Sequence, residues 1–171
     1  MIDYVGRLIT LTSNGNNAAF SKLYIKTKRG VFAFLYTYLK NFSDTEDAMQ
    51  TVYLKVKKNA ATFKKGTNGR AWILQIAKNH ALDLLRKSGR EVSVESVKEL
   101  SYENKPTGMG VVGDVMQKVL GVEEQRIVIL HVLWGYRHRE ISEIMDIPIG
   151  TVTSKYKRAV EKLKKELKEV E

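Results

Sequence analysis

The stretch RHREISEIMDIPIGTVTSKYKRAVEKLKK, from Arg137 to Lys165, decides how the chain is read. Ile141, Ile144 and Met145 recur at helical spacing and share one face. Asp146, Pro148 and Gly150 then interrupt the pattern, since proline lacks an N–H and glycine accepts unusual backbone angles. A second helix resumes with Val152, Tyr156, Ala159, Val160, Leu163 and Leu167 on its apolar side. Its other side offers Thr151, Thr153, Ser154, Lys155, Lys157, Arg158 and Lys162. Two short helices joined by a tight turn, the second basic and hydroxyl-rich, describe a helix-turn-helix whose second helix enters a DNA major groove. Lys155 and Arg158, three apart, are placed for base edges or phosphates, and the free N–H groups of the first turn favour phosphate.

Composition agrees with that ligand class. The 171 residues carry a formal net charge of +10, which favours polyanionic partners. The charge is uneven: residues 1–42 and 43–87 each carry +5, residues 88–117 carry −2 and residues 118–171 carry +2. No cysteine is present, so neither a disulfide framework nor a cysteine-based zinc site is expected. No apolar run approaches a membrane span, and Met1-Ile2-Asp3-Tyr4 lacks the form of a signal peptide. A cytoplasmic protein without direct membrane insertion is expected.

Upstream, the apolar period is helical almost everywhere, so the fold class is all-α. Phe20, Leu23, Thr27, Val31, Phe34, Leu35 and Tyr38 predict one long helix or two in succession, with Gly30 as the weak point. Ser43-Asp44-Thr45-Glu46 spells a capping box, followed by an apolar face of Ala48, Met49, Val52, Tyr53 and Val56. Phe63 to Gly69 is a polar, mobile loop, and Ala71 to Leu85 a strongly apolar helix. Residues 88–112 hold Gly89, Pro106, Gly108 and Gly110 and form the natural linker between two small helical domains, 1–87 and 113–171. Gly108-Met109-Gly110-Val111-Val112-Gly113 matches a dinucleotide-binding pattern by letter, but no strand precedes it, so the mechanical context fails. His80, His131 and His138 are scattered, without metal-ligand spacing or a neighbouring nucleophile. No catalytic set and no cofactor site is expected, and no small-molecule substrate.

Taken together, these motifs resemble the extracytoplasmic-function group of bacterial sigma factors, within the sigma-70 family. The resemblance runs through Asp44–Val56, Phe63–Trp72, Ile73–Lys87, Glu123-Glu124-Gln125-Arg126 and the helix-turn-helix. Lys57 stands where tryptophan is common, Gly121-Val122 where Leu-Pro is usual, and Lys155 where arginine is frequent. The family fold is a region 2 domain, a flexible linker and a region 4 domain. The resemblance implies a subunit that binds core RNA polymerase and directs promoter-specific initiation. It assigns core binding to Asp44, Asp47, Gln50, Tyr53 and Leu54. Phe63, Lys64, Lys65, Thr67, Asn68, Arg70, Trp72 and Asn79 fall on the minus-ten element; Trp72 is open to two readings, a stacking platform or a core residue. Thr151, Thr153, Ser154, Lys155, Lys157 and Arg158 fall on the minus-thirty-five element. An anti-sigma partner is implied as well. Two other readings compete: an autonomous helix-turn-helix regulator, and a degenerate relative that binds polymerase without initiating.

Overall fold

The computed structural model describes residues 3–89 and 110–168, and all regular structure within them is helical. The chain divides into two compact units, Met1–Val92 and Ser93–Glu171. The linker stretch from 90 to 109, including Gly108 and Met109 of the glycine pattern, lies outside the described residues, as do Met1 and Ile2.

The first unit holds α1 (Tyr4–Ser13), α2 (Asn17–Leu39), α3 (Phe42–Asn59), a 3-10 turn (Ala60–Thr62) and α4 (Gly69–Lys87). Helix α2 packs on α1, α3 and α4, and α4 touches α1 and α3 as well. Ile9, Leu23, Val31, Leu35, Val52, Val56 and Ile73 meet in the interior, each with no more than a trace of solvent exposure. Helix α2 is unbroken through Gly30, which is buried. The ~1 kcal/mol that an internal glycine costs a helix is outweighed by burial of Val31, Phe34 and Leu35 beside it.

The start of α3 differs from the capping box expected at Ser43. Lys40 turns the chain in the left-handed region (φ 54°), and Asn41 is extended, so the helix begins at Phe42. Asn41 Oδ1 accepts from the Asp44 amide at 3.0 Å, and Thr45 Oγ1 donates to Asn41 O at 2.6 Å. Ser43 is therefore already inside the helix; asparagine two residues earlier caps it instead.

The second unit holds α5 (Gly110–Val119), α6 (Val122–Val132), α7 (His138–Met145) and α8 (Ile149–Lys168). Gly110 to Gly113, the end of the glycine pattern, are helical. Helix α8 packs on α5, α6 and α7 around Ile127, Leu130, Ile141 and Val152. The turn between α7 and α8 is made by Asp146 in the left-handed region (φ 55°), with Ser142 Oγ donating to Ile147 O at 2.6 Å. Gly150 is an ordinary residue of α8 rather than part of the break. Of the apolar stripe expected on α8, Val152 and Ala159 are buried, while Tyr156, Val160, Leu163 and Leu167 are half-buried.

Candidate nucleic-acid and polymerase interfaces

Helix α3 sorts its residues by face. Asp44, Asp47, Gln50 and Leu54 recur at spacings of three and four and are exposed, Leu54 at 69 %. Asp44 lies in the first turn, where the helix dipole favours it, and Lys57 and Lys58 close the last turn. Tyr53, grouped with them in the sequence, points the other way. Its hydroxyl meets Thr27 Oγ1 at 2.6 Å, its ring meets Tyr24 edge-on at 4.8 Å, and burial pushes its phenol pKa up. Tyr53 is a core residue of the first unit and leaves the exposed set.

Beside the acidic stripe runs a groove of about 360 Å³, lined by Leu39, Asp44, Asp47, Thr51, His80 and Leu84 among others. Lys55 Nζ lies 3.2 Å from His80 Nδ1, an arrangement in which the ammonium donates to a neutral ring. Desolvation, followed by the Lys55 charge, holds the His80 pKa below its usual value. Sequence reasoning missed this juxtaposition because His80 is 25 residues from its lysine.

The Phe63–Gly69 segment is a built turn. Thr67 N and Oγ1 both donate to Lys64 O, at 3.2 and 2.7 Å, and Gly66 takes a positive φ of 84° at the third position, where such turns favour glycine. Lys64, Lys65, Thr67, Asn68 and Arg70 are exposed around it. Asn68 also caps α4, its Oδ1 accepting from the Ala71 amide at 3.1 Å. Phe63, expected on the open loop, is instead buried at the loop's foot. Its ring lies edge-on to the half-buried Trp72, with centroids 5.6 Å apart. Asn79 is exposed on α4 and accepts from Gln75 Nε2 at 2.8 Å, and Asp83 pairs with Arg86 at 3.1 Å.

On α8, Ser154, Lys157 and Arg158 are exposed, and Thr151 is half-buried. Lys155, expected to share a DNA-facing surface with Arg158, is turned onto α6. Its Nζ lies 2.6 Å from Glu123 Oε2, and both side chains are less than one-third exposed. The adjacent Glu124 is nearly buried; it accepts from the Gly121 amide at 3.1 Å and from Lys162 at 2.8 Å. Gln125 Nε2 donates to Leu120 O at 2.9 Å. The Glu123-Glu124-Gln125 motif thus starts α6 without the usual Leu-Pro and fastens it to α8.

The histidines of this unit are gathered rather than scattered. His131 and His138 rings lie 5.1 Å apart, and Tyr156 meets both edge-on, at 4.7 and 5.0 Å. His131 Nδ1 faces Tyr136 O at 2.8 Å, and His138 Nδ1 faces Thr153 Oγ1 at 3.1 Å. Desolvation and then the neighbouring His131 lower the His138 pKa. Gly135, at φ 73°, turns α6 back toward α7 and so brings the two rings together. Tyr156 therefore packs on imidazoles, and Thr153 is engaged by one of them. Trp134 and Tyr136 are buried, in keeping with a packing role. Among the described residues no helix is long and apolar enough to cross a membrane.

Comparison with known proteins gives two family matches: Sigma-70 region 2 over residues 23–91 and Sigma-70 region 4 over residues 119–163. An ECF RNA polymerase sigma-E factor of Haemophilus influenzae is 27 % identical over 177 residues, covering 94 % of this chain and 93 % of its own. The ECF RNA polymerase sigma factor SigW of Bacillus subtilis is 23 % identical over 183 residues, covering 97 % and 98 %. Two solved structures share the fold. One is the sigma factor RpoE of Bartonella quintana in complex with the anti-sigma factor NepR: TM-score 0.63, 24 % identity, 87 % of this chain and 96 % of that one. The other is CnrH in complex with the cytosolic domain of CnrY: TM-score 0.64, 19 % identity, 97 % and 98 %.

Proposed function

Because the chain belongs to the extracytoplasmic-function group of the sigma-70 family, a family of non-catalytic subunits that bind core RNA polymerase and recognise promoters, we propose a division of that task between its two units. Residues 1–87 dock on core polymerase and capture the minus-ten element; the second unit reads the minus-thirty-five element from α5 onward, so the linker expected over 88–112 ends before Gly110. The observation that carries this reading is that the first unit exposes two groups of opposite charge. One is the acidic, leucine-tipped stripe of Asp44, Asp47, Gln50 and Leu54. The other is the basic turn of Lys64, Lys65 and Arg70 above Trp72.

The acidic stripe repels DNA and suits a protein partner, with charge steering the encounter and Leu54 supplying apolar contact. The turn suits a displaced strand: Lys64, Lys65 and Arg70 take phosphates, Thr67, Asn68 and Asn79 offer hydrogen bonds, and Trp72 offers an aromatic edge against which an unstacked base can rest. On α8, Lys157 and Arg158 contact the duplex, with Thr151 and Ser154 close to its phosphates. Lys155 acts indirectly, by holding α8 to α6. Since a sigma factor of this fold, RpoE of Bartonella quintana, is known in complex with the anti-sigma factor NepR, an anti-sigma protein is also proposed for this chain.

The test separates the surfaces. Charge reversal at Asp47 together with Gln50→Ala weakens core binding at least about tenfold by competition against wild type. The Lys64→Ala, Lys65→Ala, Arg70→Ala variant retains core binding but loses permanganate reactivity of the minus-ten thymines. Unchanged core affinity in the first variant, or unchanged opening in the second, rejects the corresponding assignment.

A further inference from the structure

Asp3 is the sole acidic residue in the first 42 positions, against six basic ones. It stands beside a segment proposed to hold DNA, where a carboxylate repels phosphate, so its placement asks for another reason. The carboxylate bridges two helix starts. Oδ1 accepts from the Val5 amide at 3.2 Å and caps α1; Oδ2 accepts from the Gly69 amide, the first of α4. Sixty-six residues separate the two ends of that second hydrogen bond. The helices are pressed together at this point. A Cβ on Gly69 would lie 2.5 Å from Gly6 N and 2.7 Å from Gly6 Cα, a distance that only glycine permits. A Cβ on Gly6 would lie 2.8 Å from Asp3 Oδ2 and 3.1 Å from Phe63 Cζ. One end of the basic turn, Gly69, is therefore tied to α1 by a charge-assisted hydrogen bond, and the other, Phe63, rests against the same glycine.

We propose that Asp3 is a positioning residue for promoter opening: its carboxylate, with the Gly6–Gly69 contact, sets the angle at which the Lys64–Arg70 turn and Trp72 are presented. This rests on the proposed minus-ten role of that turn. Asp3 touches no DNA itself. It neutralises the N-terminal end of α4 from the protein side, while Asn68 caps the neighbouring Ala71 amide, so the turn keeps one geometry before a strand arrives.

The experiment uses full-length protein assembled with core polymerase. The DNA probe is a single-stranded non-template oligonucleotide spanning the minus-ten region of a promoter mapped by transcript sequencing. Asp3→Ala lowers holoenzyme affinity for that strand about tenfold, the loss expected for one charge-assisted hydrogen bond, while core affinity stays within about twofold. Asp3→Asn, with one acceptor oxygen left, falls between. Equal losses in core and strand binding, or no loss of strand binding, overturn the proposal. The Lys64→Ala, Lys65→Ala, Arg70→Ala variant runs in parallel. If it loses strand binding and Asp3→Ala does not, the turn's role stands and the positioning role falls. If the triple variant keeps strand binding, the minus-ten assignment itself fails. A DNA-free readout covers poor folding of Asp3→Ala. Amide exchange at Gly69–Trp72 speeds up about tenfold in Asp3→Asn while α2 amides are unchanged, and unchanged exchange at Gly69 overturns the proposal.

Discussion

The two units use their charge differently. In the first, Lys64, Lys65 and Arg70 are exposed on a turn, and the acids Asp44 and Asp47 are exposed on one face of α3. In the second, bases of α8 pair with acids of α6, Lys155 with Glu123 and Lys162 with Glu124, while Lys118 pairs with Glu166. Counting positive residues therefore overstates how much DNA attraction α8 offers and understates how much of its charge holds the unit together. Among the described residues the second unit also has a smaller apolar core, so ion pairs and caps count for more in its stability. Trp72 and Trp134 stand one in each unit, so the single-tryptophan variants Trp134→Phe and Trp72→Phe report the first and second unit separately.

The sharpest challenge to this contrast is removal of exposed charge from each side. The Lys64→Ala, Lys65→Ala, Arg70→Ala variant should reduce promoter opening by about 100-fold or more. It should also flatten the salt dependence of DNA binding, by roughly 0.7–0.9 in slope for each phosphate left without its cation. Lys157→Ala with Arg158→Ala should cost about tenfold in promoter affinity, the scale of one good base or phosphate pairing. Equal effects from the two variants would dissolve the distinction.

Next in size is Glu124→Ala. It leaves the Gly121 amide uncapped and removes the partner of Lys162, which water can solvate, so the unfolding followed by Trp134 should lose about 1–2 kcal/mol. The transition followed by Trp72 should not move. A shared shift would mean that the units do not unfold independently. Lys155→Ala is a smaller version of the same test: about 0.5–1 kcal/mol from the second unit, with promoter affinity within about twofold. A large loss of promoter affinity with no loss of stability would return Lys155 to the DNA-facing surface.

The smallest effect is on pH. His80 and His138 both have pKa values below the ordinary imidazole value in the folded chain. A group with a depressed folded pKa binds protons more readily when unfolded, so its stabilising contribution is complete above the unfolded value near 6.5. That contribution is lost as pH falls from there through the folded value. Both transitions should therefore soften on acidification below about pH 6.5. His80→Gln should reduce the slope only in the Trp72 signal, and His138→Gln only in the Trp134 signal. Rising stability on acidification would contradict the assigned directions.

Much of this was legible in the amino-acid order. Helical spacing announced the all-α class, and the helix-turn-helix, the acidic start of α3 and the glycine-rich turn could be placed by residue number. What the order concealed were partners far apart along the chain. Tyr53 belongs to a motif but finds Thr27, and Phe63 begins a polar segment but finds Trp72 and the foot of α1. Lys155 lies on a basic helix, and its carboxylate is 32 residues upstream, on Glu123. The choice of Asn41 over Ser43 as helix cap turned on the left-handed Lys40, which no local preference for lysine foretells. The histidine pair needed the Gly135 turn to be seen.

Run-off transcription with core polymerase tests the central claim most directly. Added wild-type protein should yield discrete transcripts from mapped promoters and none without it, with initiation abolished by the Lys64, Lys65 and Arg70 substitutions. Failure to initiate on any promoter, combined with a footprint on duplex DNA by the protein alone, would contradict the account and mark the chain as an autonomous DNA-binding regulator.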